Sequence, residues 1–243
     1  MENIEIVGSF KTEVQPDRSN QAVLIAEKVS SGYPLEYEIG YTSFLGYRFF
    51  VNESVLIPRP DTEHVVVSAE QHISKESKVL DLCTGSGCIS ITLKVRNPDI
   101  TIFASDISKE ALTIARKNAE YHNAYITFIE ANLLKGIKDR FDIIVTNPPY
   151  IPTDMIEKLE KCISYEPFEA LNGGEDGMDF YRRIESSLDY NLADGGLLIS
   201  EIERQNADTM PALFEIFSKW SISIEEDLTG RPRTLAIRRK ERG

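Results

Sequence analysis

From residue 78 onward the chain alternates short β-branched runs with longer amphipathic ones, and this alternation constrains the fold more than any other feature. Strand-like runs occupy residues 79–83, 101–105, 126–130, 141–146, 196–201, 221–225 and 234–238. Helical spacing fills residues 89–96 and 109–122 between the early runs, and 179–192 and 206–219 later. Strands separated by helices pair in parallel, with the helices covering both faces of the sheet. Seven strands, the last two close together, predict a Rossmann-like, mostly parallel α/β sheet. Its final strand is expected to run antiparallel through a terminal hairpin.

What precedes residue 78 is less regular. Residues 21–29 have the length of one short helix, which Ser31-Gly32 would end. The stretch from Tyr41 to Leu56 is rich in aromatics and broken by Gly46 and Asn52-Glu53, a pattern of a hairpin. Pro58 and Pro60 then exclude regular structure, and Asp61 or Thr62 is placed to cap a helix over residues 65–72. The expected organisation is a short helical segment at 1–33, a hairpin linker at 34–60 and the main domain at 61–243.

The length of 243 residues, 42% of them hydrophobic, suits one α/β domain with a small helix-and-hairpin appendage. A net charge of -12 repels a phosphate backbone and argues against a general nucleic-acid binder. Cys83, Cys88 and Cys162 lack the paired spacing of a disulfide framework or a zinc site, and no metal is expected. No apolar run reaches the roughly 18 residues of a membrane span, and the first 20 residues are charged throughout. Together these features predict a cytoplasmic protein.

The segment Asp81-Leu82-Cys83-Thr84-Gly85-Ser86-Gly87 follows a predicted strand and opens a helix. In a doubly wound sheet, ligands bind at this carboxyl edge. Gly85 and Gly87 allow close backbone approach, and the amides of the helix start offer donors. The next strand ends in Asp106, followed by Ile107. A carboxylate about 20 residues beyond such glycines can accept both hydroxyls of an adenosine ribose. A dinucleotide remains possible on these residues alone. However, Ser90 stands where a third glycine would admit a pyrophosphate, so a ligand without one is favoured.

The stretch Phe141-Asp142-Ile143-Ile144-Val145-Thr146-Asn147-Pro148-Pro149-Tyr150 narrows the chemistry. A buried strand delivers Asn147 to the same edge as the glycine turn. The Pro-Pro pair stiffens the backbone and removes local amide donors. The Asn147 amide oxygen and the Pro148 carbonyl can then accept the two hydrogens of an NH2 group, while Tyr150 offers a flat face. Such an arrangement suits alkylation of a planar amide or amino nitrogen by positioning and electrostatics, without a strong base. His64, His72 and His122 therefore read as structural or solvent-facing.

With these pieces in place, the sequence resembles the peptide-chain release factor glutamine methyltransferases, from Pro34 to near Arg238. The similarity is carried by Pro34-Leu35-Glu36-Tyr37, Leu56-Ile57-Pro58-Arg59-Pro60-Asp61-Thr62-Glu63, the glycine turn and Asn147 to Tyr150. Further matches are Tyr165-Glu166-Pro167, Ala170-Leu171, Gly173-Gly174-Glu175-Asp176-Gly177 and Tyr181-Arg182-Arg183-Ile184. The resemblance implies a class I fold, S-adenosyl-L-methionine as cofactor, and methyl transfer to a glutamine amide in the Gly-Gly-Gln loop of a release factor. It assigns Asp81, Cys83, Thr84, Gly85, Ser86, Gly87, Asp106, Ile107, Asn132, Leu133 and Asn147 to the cofactor. Asn147, Pro148, Pro149 and Tyr150 hold the amide, with Arg59 at the rim. The chain departs from the pattern in a shortened N-terminal helical segment, Glu36 in place of a glutamine, and Asn132 where an acidic residue is common. Two alternatives stand beside this reading: N-methylation of another protein or a small molecule, and a non-catalytic cofactor- or protein-binding module.

Overall fold

The computed structural model describes residues 18–215, 219–227 and 230–240. Helix α1 (Arg18–Ser30) is followed by the short α2 (Leu35–Ile39), which Pro34 opens and left-handed Gly40 closes. Strands β1 (Tyr41–Phe44) and β2 (Tyr47–Phe50) form an antiparallel hairpin. After it come α3 (Glu63–Glu70), β3 (Lys78–Leu82), α4 (Cys88–Arg96), β4 (Thr101–Asp106), α5 (Lys109–Tyr121), β5 (Thr127–Glu130) and β6 (Phe141–Thr146). Two single turns, α6 (Thr153–Ile156) and α7 (Phe168–Leu171), lead to α8 (Asp179–Asn191), β7 (Leu192–Glu201), α9 (Met210–Glu215), β8 (Trp220–Glu226) and β9 (Pro232–Arg239).

Among the described residues seven strands form one sheet in the order β5-β4-β3-β6-β7-β9-β8. The first five are parallel, and β9 inserts antiparallel between β7 and β8. The expected Rossmann-like sheet with its terminal hairpin is thus present. Strand alternation divides the core in two. Leu80, Ile144, Leu198 and Ile237 face one side, with Tyr181, Leu188, Phe214 and Trp220. Val79, Ile143, Ile199 and Ala236 face the other, with Val65, Val66, Ile89 and Ile91. Phe44 and Phe49 of the hairpin join this second cluster, so the hairpin is packed onto the sheet domain.

Four expectations change in detail. The helix after Pro60 covers Glu63–Glu70, preceded by a 3-10 turn at Pro60–Thr62; Thr62 stands at its N-cap position, as expected, but its side chain makes no capping hydrogen bond. Asp61 pairs instead with Arg233 at 3.0 Å, and the Thr62 hydroxyl donates to buried Glu201. Strand β7 begins at Leu192 rather than residue 196, because a bulge shifts its register against β6 between Phe141 and Ile143. The helix expected over 206–219 is described only as Met210–Glu215; Arg204–Asn206 is a 3-10 turn, and Pro211 is tolerated only in a helix's first turn. Residues 216–218 of that expectation, and residues 1–17 of the N-terminal one, lie outside the described residues. Finally, α2 was read as part of a hairpin linker; its five residues are too short for periodicity to reveal.

Candidate active site

The parallel order β5-β4-β3-β6 carries the loops after four strands to one edge. There they line a cavity of about 780 Å3, within the range of small-molecule sites. From β3 the chain enters the glycine turn, which a buried carboxylate shapes. Asp81 accepts from the Thr84 hydroxyl at 2.5 Å and from the Ser90 amide at 3.0 Å. Burial pushes the Asp81 carboxyl up to about 6, against the pull of these two donors. Cys83, at φ 61°, and Gly85, at φ 53°, are both left-handed, so the backbone doubles back over the strand end. Gly87, at φ 81°, also holds a left-handed conformation that side chains rarely adopt, and a Cβ there would crowd Ile91 and Ala115 as well.

Strand β4 lies beside β3, with Leu82 paired to Ser105. Asp106 therefore emerges next to the turn, where its Oδ2 accepts from the Gly85 amide at 2.9 Å and its Oδ1 from the Ser108 amide at 2.9 Å. Burial raises its pKa while these backbone donors lower it. Each carboxylate oxygen keeps a lone pair beyond the one used. After β5, Asn132 and left-handed Leu133 reach the same cavity, and the Asn132 Oδ1 accepts from Arg183 on α8. The cavity wall includes Cys83, Thr84, Gly85, Ser86, Asp106, Ile107, Asn132, Leu133, Asn147 and Pro149.

On another part of the wall, Asn147 leaves the end of β6 and its Nδ2 donates to the Thr62 hydroxyl oxygen at 3.0 Å. That hydroxyl donates in turn to Glu201 Oε2 at 2.6 Å, and the Tyr150 hydroxyl donates to Glu201 Oε1 at 2.8 Å. Burial raises the Glu201 pKa, with both donors opposing the shift. Burial also drives the Tyr150 phenol far above its ordinary value, as does the Glu201 charge, so it remains a donor.

These features coincide with known sequences. Residues 63–163 match the family model for the methyltransferase small domain. A release factor glutamine methyltransferase of Bacillus cereus is 36% identical over 235 residues, which cover 93% of this chain and 83% of that protein. Its counterpart in Lactococcus lactis is 37% identical, over 88% of this chain and 80% of that protein. The chain belongs to the release factor glutamine methyltransferase family. Its class I fold is shared with a methyltransferase of Pyrococcus furiosus, at a TM-score of 0.62 and 16% identity, over 93% of this chain and all of that one.

Within this methyltransferase, not every residue singled out in the sequence reaches the cavity wall. Asp81 is fully buried behind the turn and acts on it through Thr84 and Ser90. Gly87 is the left-handed N-cap of α4. Pro148 and Tyr150 are outside the wall, the tyrosine hydroxyl being engaged with Glu201. Arg59 pairs with Glu166, whose carboxylate also accepts from the Ile57 amide at 3.2 Å, so it ties two loops together. The Gly173-Gly174-Glu175-Asp176-Gly177 motif is explained by contact. A Cβ at Gly173 would lie 2.7 Å from the Tyr150 backbone, and one at Gly177 would lie 2.3 Å from its carbonyl oxygen. The Gly173 amide donates to the Ile151 carbonyl at 2.8 Å, bracing the segment that carries Asn147.

Three further residues were not singled out for the site. Thr62 was read only as a cap and Glu201 only as a strand end. Asn118 of α5 donates to the Ser86 carbonyl at 2.8 Å and brackets the Phe50 backbone, at 2.7 Å as acceptor and 3.0 Å as donor. It thereby joins the hairpin to the glycine turn. A polar residue on the buried face of an amphipathic helix was the one available signal.

Proposed function

We propose that this chain transfers a methyl group from S-adenosyl-L-methionine to the side-chain amide nitrogen of a protein glutamine, in the Gly-Gly-Gln loop of a release factor. The observation that carries the reading is the Asn147 carboxamide: its NH2 is tied back to Thr62, while the residue lines the same cavity as the glycine turn and Asp106. Its Oδ1 takes no hydrogen bond from the described residues and is available to one hydrogen of a planar NH2. Pro148 itself is not a wall residue, but its carbonyl, without a donor among the described residues and flanked by the wall residues Asn147 and Pro149, is the second acceptor in this reading.

The cavity's donor set fits the proposed cofactor. Asp106 retains lone pairs for the ribose hydroxyls, Ile107 and Leu133 give apolar faces for a flat base, and the Asn132 Nδ2 can donate to it. The bound sulfonium supplies an activated methyl and a neutral leaving group. This chain's residues supply position and field. An amide nitrogen is a weak nucleophile because its lone pair is shared with its carbonyl. Two acceptors on its hydrogens hold the nitrogen in line and stabilise the positive charge it gains. No residue needs to remove a proton before transfer; the methylated nitrogen then gives up one of its two hydrogens as a proton to water, which leaves a neutral N-methyl amide. The release-factor name of the relatives supports the substrate assignment, and translation termination would place the reaction in the cytoplasm.

Purified protein, methyl-labelled cofactor and unmethylated release factor, read by peptide mass spectrometry, test the proposal. One added methyl on the Gly-Gly-Gln glutamine is expected. Cofactor binding without that product would show that the methyl acceptor is another nitrogen.

A further inference from the structure

We infer that Glu201, acting through Thr62, is a positioning residue that decides which way the Asn147 carboxamide faces. The inference rests on the proposed glutamine-methylating role of Asn147 and adds two residues to it. Glu201 ends β7 and Thr62 ends the turn before α3; both are buried, at 1% and 2% exposure. Nothing in their sequence positions joins them to Asn147, which follows a third element, β6.

Hydrogen-bond counting carries the argument. An ionised carboxylate only accepts, and a hydroxyl has one hydrogen to donate. Glu201 Oε2, 2.6 Å from the Thr62 hydroxyl, takes that hydrogen. Thr62 can then offer Asn147 only lone pairs, so the NH2 end of the carboxamide must face it, at 3.0 Å. The Asn147 Oδ1 is thereby turned the other way. Tyr150 fills the second carboxylate oxygen at 2.8 Å, so both oxygens of Glu201 accept within the network.

A neutral group in place of the carboxylate would release this constraint. A glutamine at 201 could donate to Thr62, whose hydrogen would then be free for the Asn147 Oδ1. The carboxamide could rotate by half a turn and present NH2 to the NH2 of its substrate, two donors with no acceptor between them. The same logic explains a carboxylate in a place where burial is costly: a buried ion is expensive, and hydrogen-bonded neighbours only partly offset it. Its charged surroundings include Asp61 and Arg233, and the Tyr181 hydroxyl donates to its backbone carbonyl at 2.8 Å.

The test uses Glu201→Gln, Thr62→Val and Thr62→Ser in the full chain, each alone and with Asn147→Ala. For Glu201→Gln and Thr62→Val, kcat for transfer to release factor should fall about tenfold or more, with KM and cofactor affinity within about twofold. Thr62→Ser, which keeps the hydroxyl, should restore kcat to within about threefold of the parent. In the Asn147→Ala background neither Glu201→Gln nor Thr62→Val should lower the rate further, because their effect runs through the missing carboxamide. A full-sized additional loss in that background, or parental kcat in both single variants, would overturn the inference.

A second readout needs no methyl acceptor. The side-chain NH2 signals of Asn147, assigned by their disappearance in Asn147→Ala, should show one proton protected from exchange in the parent and unprotected in Thr62→Val. Equal protection in both would sink the inference whatever the enzyme methylates. Loss of protection alongside an inactive parent would support the orientation and count against the release-factor substrate alone.

Discussion

The two halves of the cavity are built on different principles. The half proposed to hold the cofactor is local: the segment from Asp81 to Ser90 folds onto its own carboxylate, and Asp106 is held by two backbone amides. The acceptor half is assembled at a distance. Thr62, Glu201 and the segment carrying Asn147 and Tyr150 come from three separate elements and hold one another through side chains alone. Backbone donors survive most substitutions, whereas each side-chain link is lost with its residue. Changes on the acceptor side should therefore abolish chemistry while leaving cofactor binding, and changes on the cofactor side should do the reverse.

The strongest separation is expected at Asn147. Asn147→Ala should lower methyl transfer by roughly 100- to 1,000-fold, the usual cost of removing one preorganised group from a transition-state site. Cofactor affinity by calorimetry should stay within about twofold, since the cofactor half is self-supporting. A parallel loss of affinity would show that the two halves are one unit.

Next comes Asp81, the cofactor half's own buried carboxylate. Its folded pKa of about 6 lies above the ordinary value of 3.8, so the fold favours the protonated form. Its stabilising contribution is complete below pH 4 and is lost as pH rises through 6. From a shift of this size the wild type should lose about 3 kcal/mol relative to Asp81→Asn between acid and neutral pH. Urea unfolding at a series of pH values measures this difference; a flat one would mean that Asp81 titrates alike in both states.

A smaller effect is expected at Asp106. Asp106→Ala removes charged acceptors facing the cavity and should weaken cofactor binding by about 30-fold, with near-parental turnover at saturating cofactor. Unchanged affinity would remove Asp106 from the ribose site. Smallest is Gly85→Ala. No atom lies within 4 Å of a Cβ there, so only the left-handed backbone resists it. The cost should be about 1 kcal/mol of unfolding free energy, and an undiminished unfolding midpoint would contradict that backbone conformation.

How much of this could be read in advance follows the same division. The sheet was legible because the alternation of runs from residue 78 reports burial on two faces directly, and β6 was placed at both its ends. The short α2, the start of β7 and the 3-10 turn at Arg204–Asn206 were missed, because bulges and single turns have no period to detect. In the site, Gly85, Gly87, Asp106 and Asn147 stood out because each follows a strand at the edge where ligands bind. Arg59 did not end up in the cavity wall, and its charge is instead used by Glu166.

The strand and helix pattern, and the carboxyl edge to which Gly85, Asp106 and Asn147 are delivered, can thus be read from the residues alone. Those are properties of local spacing, and they hold wherever the chain folds at all. The link from Thr62 to Asn147, the carboxylate of Glu201 shared by Thr62 and Tyr150, and the fit of Gly173 and Gly177 against the Tyr150 backbone emerge from the folded chain. The physical reason is that a buried donor or acceptor must find a partner in space. Which partner it finds depends on how distant strands come together, and no local pattern records that.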